Sequence, residues 1–229
     1  MATCPIPFTE IIETDGRGPI QGEKIVEFRL MYQGILTANG DVADKFAIRR
    51  QIHPQLRNLC SENPMLRSQL IAWGSHEAQQ TLADSYTAEA AFSFGVQRLA
   101  DTHLNGFRFI PLSRKEWHLR CSLDVLFLRR EKPGKVFMRG DIDNRFKTLF
   151  DVLQMPIQGQ DVGSESPGPD EDPFFVLLQE DDLIADVSLT TDRLLDVPAE
   201  HRYSRDYSVL LIDVKLQPTQ RTGWSHVFS

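Results

Sequence analysis

The chain has 229 residues, a 41% apolar share and a net charge of −7, which fits one ordinary globular domain. It holds no run approaching the roughly 20 apolar residues of a membrane span, and Met1 to Pro7 lacks the basic and apolar blocks of a signal peptide. Cys4, Cys60 and Cys121 are odd in number and far apart, which excludes a disulfide framework or a Cys-x-x-Cys zinc site and points to a reduced, cytoplasmic protein with no membrane association.

Along the chain, Gly16 and Gly18 have neither a strand-to-helix context nor a following Lys, so no nucleotide loop or organic cofactor is expected. From Lys24 to Tyr32 the residues Val26, Phe28, Leu30 and Tyr32 alternate with polar ones, which predicts a half-buried strand. Asn39-Gly40 predicts a turn. Asp41 to Cys60 is helix-prone, with Pro54 expected to end or kink the helix near His53. Leu66 to Thr102 is rich in Ala, Gln and Leu, and the Gly74-Ser75 pair predicts a break between a short helix and a longer one. Trp117, Leu119, Cys121, Leu123, Val125 and Phe127 alternate again, marking a long strand that ends in a basic turn.

From Asp143 the period changes, and Phe146, Leu149, Phe150 and Leu153 fall on one helical face. Beside them Asp143, Lys147 and Asp151 form a polar stripe at i, i+4 and i+8. The segment 155–179 is dominated by Gly, Ser, Pro and Asp and reads as a mobile loop too polar to build a core. Leu183 to Leu189 reads as a strand entered through Asp181-Asp182. Tyr207 to Leu216 reads as another, with Leu210, Ile212, Val214 and Leu216 inward. Strand, helices, strand, helix and two strands predict an α+β domain with a mixed sheet, packed helices and an enlarged helical N-terminal half.

An acidic chain is a poor partner for nucleic acid on average charge alone. The charge is unevenly spread, however: residues 98 to 147 carry twelve Lys and Arg against six acids, and residues 161 to 200 carry twelve acids against Arg193 alone. A basic face of that kind can steer a polyanion. Arg129, Arg130, Lys132, Lys135 and Arg139 lead into Asp141 and Asp143, with Arg145 and Lys147 just beyond.

Phosphodiester hydrolysis needs negative charge stabilised on the attacking and leaving oxygens, which Mg²⁺ or Mn²⁺ on a few carboxylates supplies. Asp141 and Asp143 can aim two carboxylates into one cleft, and a third has to come from elsewhere, for which Asp182, with Asp181 beside it, is placed at the head of the next strand. Lys147, one turn after Asp143, is positioned to meet a phosphate. Each piece also has a plainer reading: Asp-x-Asp pairs are common in surface turns, Lys147 suits an i,i+4 pair with Asp143 or Asp151, and Asp151 suits a helix-face salt bridge. The six histidines show no metal-ligand spacing.

The ensemble Asp141-Ile-Asp143-Asn144-Arg-Phe-Lys147, then Asp151, then Asp181-Asp182 resembles the RusA family of Holliday junction resolvases. The resemblance covers residues 117 to 216 best and 24 to 112 loosely, within a single domain spanning 1–229. It implies a homodimer with two acidic sites that uses Mg²⁺ or Mn²⁺ to cut branched DNA. Asp141, Asp143 and Asp182 are then the metal-binding carboxylates, Asp181 their neighbour and Lys147 the essential cation. By position, Arg129, Arg130, Lys132, Lys135 and Arg139 just before the motif and Arg145 within it are the candidate DNA contacts, the plainer reading of the run before the motif being a solvated turn. The alternative is a catalytically silent RusA-like module that binds nucleic acid or protein in a phage-related or defence setting, with the 155–179 loop as a DNA mimic or docking element.

Overall fold

The computed structural model describes residues 26–130 and 141–218, with Asp141 described in its backbone alone. The architecture is α+β with two mixed sheets. β1 (Val26–Ile35), β4 (Leu119–Arg129), β6 (Ile184–Arg193) and β7 (Tyr207–Pro218) form one sheet in the order β1-β7-β4-β6. β2 (Thr102–Leu104), β3 (Phe107–Ser113) and β5 (Phe174–Leu178) form the other, in the order β2-β3-β5. In the larger sheet β7 runs antiparallel to both β1 and β4, and β6 runs parallel to β4. The alternation read along β1, β4 and β7 is that of strands with one face on the core, where Leu30, Leu123, Val125, Leu210, Ile212 and Val214 are all buried.

The helices are α1 (Val42–Glu62), α2 (Pro64–Leu82), α3 (Ala88–Leu99) and α4 (Asp141–Leu153). Asp41 caps α1 by accepting from the Asp44 amide, Asn63 caps α2 with Pro64 just inside, and Thr87 caps α3. Pro54 does not end α1. Contacts on both sides of it hold the helix in place. The His53 ring donates from Nε2 to the Asp170 carbonyl and accepts the Phe175 amide at Nδ1, while Gln55 exchanges hydrogen bonds with both backbone groups of Met31 on β1. Tertiary anchoring offsets the lost backbone bond. Burial holds His53 below its ordinary pKa, which keeps Nδ1 an acceptor.

Gly74 does not break α2 either. A Cβ there would lie 1.8 Å from the Ala91 carbonyl oxygen, and one on Gly95 would lie 1.9 Å from that of Leu70. The two glycines are what lets the backbones of α2 and α3 touch.

Strands β3 and β5 escape the alternation rule by being covered rather than half-buried. β3 and β5 are nearly continuous apolar runs, buried on both faces and paired in parallel. β2 and β3 form a hairpin through Asn105 and Gly106, both at positive φ, the backbone an Asn-Gly pair favours. The 155–179 segment is correspondingly not a mobile loop. It ends in β5, it buries Val162 beside Phe46, Phe107 and Phe174, and its acids are engaged: Glu165 and Glu171 with Arg50, Asp170 with Arg57, Asp172 with Arg108. Among the described residues no helix is long and apolar enough to cross a membrane.

Candidate functional site

α4 sits in the crossover between the parallel strands β4 and β6. Its inner face buries Ile142, Leu149, Val152 and Leu153, and Phe146 packs edge-on against Phe127 of β4 with ring centroids 6.0 Å apart. That contact fixes the direction of the helix, whose first turns lie over the carboxyl end of β4. Asp143 and Lys147, one turn apart, are both exposed there, and a carboxylate in the first turn is favoured by the helix dipole. The Asp141 side chain, Lys132, Lys135 and Arg139 lie outside the described residues. Asp151 pairs with Lys45 of α1 at 2.8 Å, so the salt-bridge reading of Asp151 is met by a partner from another helix.

Asp181 and Asp182 stand at the other end of the sheet. The Asp181 amide donates to Gln154, just past the last turn of α4, and Ile184, two residues after Asp182, pairs with Cys121 near the start of β4. From Cys121 to Phe127 the rise of a parallel strand covers about 20 Å, far beyond the metal–oxygen distances of near 2.1 Å at which carboxylates share Mg²⁺. The chain thus does not bring Asp182 opposite Asp143. Among the described residues no three His, Cys, Asp or Glu side chains converge to hold a metal ion, and the three-carboxylate set expected from the sequence is not completed by the described residues of one chain.

Lys115, outside the acidic motif, bridges Glu180 at 2.6 Å and Asp182 at 2.9 Å. The bonds from Glu180 and then Asp182 push its pKa up to about 12. Nothing in its local sequence distinguished it from the other bases of the 98–147 run.

Two expected DNA contacts are corrected. Arg145 is 6% exposed, and its guanidinium donates to the Leu36 carbonyl and to Asp206. Its position, three residues from Ile142 and four from Leu149, puts it on the inner face of α4. Arg129 is 5% exposed, because it continues the inward alternation of β4. Arg130 is exposed and donates to the Arg202 carbonyl.

Replacing Arg145 with Ala is expected to cost about 2 kcal/mol, since it strands a charged hydrogen-bond network. Lys147→Ala is expected to cost less than about 0.5 kcal/mol at its exposed position. Urea unfolding of the two variants measures the difference, and equal stabilities would return Arg145 to the surface.

No protein-family model matches the sequence, and no curated protein or solved structure matches it.

Proposed function

We propose that the protein is a metal-dependent endonuclease acting on branched DNA, with its site at the start of α4. The observation that carries this reading is the exposed Asp143–Lys147 pair, one helical turn apart, at the carboxyl end of β4 in a parallel crossover. Ligand sites of open α/β sheets gather at such strand ends. In this reading Lys147 sets its ammonium against a non-bridging phosphate oxygen, where it offsets the charge that grows as the phosphodiester is attacked. Asp143 supplies a carboxylate beside it. Mg²⁺ or Mn²⁺, when bound, stabilises the attacking and leaving oxygens.

A homodimer belongs to the same proposal. The Asp181–Asp182 pair of one chain stands at the far end of its own sheet, and a second copy related by a two-fold axis perpendicular to the strands carries its own pair to the near end.

Purified protein with Mg²⁺ or Mn²⁺ is expected to nick four-way or flapped DNA. Asp143→Asn is expected to reduce the rate by at least about a hundredfold while the thermal melting curve stays in place. Branched and flapped substrates left uncut under conditions where a control resolvase cuts them would overturn the nuclease reading and leave the silent-module alternative.

A further inference from the structure

Beyond β6 the chain crosses from residue 194 to 206 before returning as β7, and this crossing forms one wall of an open groove of about 750 Å³. Arg130, Arg193, Arg202 and Arg205 line it, all four exposed, with Asp196 as an acid among the lining residues. Two large apolar side chains stand open at the same place, Leu195 at 88% and Tyr203 at 90% exposure. Neither side chain contributes buried area to the fold, and the Tyr203 ring stands open to a ligand among the guanidinium groups that line the groove.

The groove is joined to the α4 end of the sheet. The Leu194 amide donates to the Arg129 carbonyl at 2.7 Å, closing one end where β4 stops. Asp206, at the other end of the crossing, takes the guanidinium of Arg145 from the second turn of α4. The groove thus lies at the end of the sheet where α4 begins.

We infer that this groove binds an unpaired strand of nucleic acid, with the arginines on its phosphates and Tyr203 stacked on a base. Guanidinium forks match phosphate oxygens, and a solvent-facing aromatic ring among cations is the pairing that single-strand binders use, because every base presents a π-face. A duplex offers phosphates to the arginines and withholds its base faces from Tyr203, so the chemistry favours single strands, including the unpaired arm of a branched substrate. The choice of substrate rests on the nuclease reading; the binding itself needs neither metal nor cleavage.

The test is fluorescence anisotropy of labelled single-stranded, flapped and blunt duplex DNA with the full chain in EDTA. Single-stranded and flapped DNA are expected to bind more tightly than the duplex. Tyr203→Ala is expected to weaken single-strand binding about tenfold, and Tyr203→Phe to leave it unchanged. The double variant Arg202→Ala, Arg205→Ala is expected to reduce the slope of log affinity against log salt by about 1.4, for two lost phosphate contacts.

These residues are exposed, so the melting curves should coincide with that of the wild type. Binding is read in EDTA without cleavage, so a wild type that binds single strands yet cuts nothing with Mg²⁺ would overturn the nuclease reading and leave this inference standing. The inference is overturned if Tyr203→Ala binds single strands with unchanged affinity, if duplex and single strand bind equally, or if an acidic peptide is bound in preference to either.

Discussion

Mixing Asp143→Asn chains with Asp182→Asn chains is expected to restore junction cleavage that neither variant shows alone. The reason is the separation of about 20 Å along β4 between the level of Ile184, just after Asp182, and that of Phe146, just after Asp143. No side-chain rotation closes a gap of that size. Under the proposed homodimer the second copy runs the opposite way, so each site draws Asp143 and Lys147 from one chain and Asp182 from the other. A mixed dimer then holds one doubly impaired site and one intact site. Random exchange of equal amounts makes half of the dimers mixed and returns about a quarter of the wild-type sites. If each site were built within one chain, both chains of every mixed dimer would be impaired and cleavage would stay at background. Background activity in a mixture shown to have exchanged subunits would therefore sink the shared-site proposal, while an inactive wild type would sink the nuclease proposal before mixing began.

Much of the fold was legible because half-buried strands and amphipathic helices write their period into the sequence. β1, β4, β7 and the apolar face of α4 all announce themselves in this way. β5 does not: its run Phe174 to Leu178 is buried on both faces, so it shows no alternation to set it apart from the polar segment before it. The β2–β3 hairpin did leave a sign, the Asn105-Gly106 pair between short apolar stretches. Pro54 and Gly74 carry local propensities that their partners override, His53 and Gln55 on one side and the α3 backbone on the other.

The candidate site divides along the same line. Asp143 and Lys147 are near neighbours on a helix, and their spacing alone places them together. Asp182 depends on the register of β6 against β4, which no linear motif encodes. Arg145 was readable as internal from its phase with Ile142 and Leu149, whereas the groove around Tyr203 gathers arginines from the residue after β4, from β6 and from the 194–206 crossing and leaves no local signature.

The stability of the helical half turns on the α2–α3 contact, and Gly74→Ala is expected to lower it by about 3 kcal/mol. In an exposed helix that substitution would stabilise by about 1 kcal/mol, because Ala has the higher helix propensity. Here the added methyl meets backbone: the Ala91 carbonyl oxygen at 1.8 Å and the Gly95 nitrogen at 2.4 Å. A side-chain tip can swing away from such a clash, whereas these atoms belong to the facing helix. α2 and α3 must then move apart, loosening Leu70, Val96 and Leu99, which pack in the main core, so the cost belongs at the upper end for overpacking. Gly95→Ala is expected to behave alike, since its Cβ would meet the Leu70 carbonyl oxygen at 1.9 Å. The double variant should cost less than the two single costs together, because one separation of the helices relieves both clashes. Urea unfolding of the three variants measures this, and a Gly74→Ala protein more stable than the wild type would show that α2 and α3 do not make this contact.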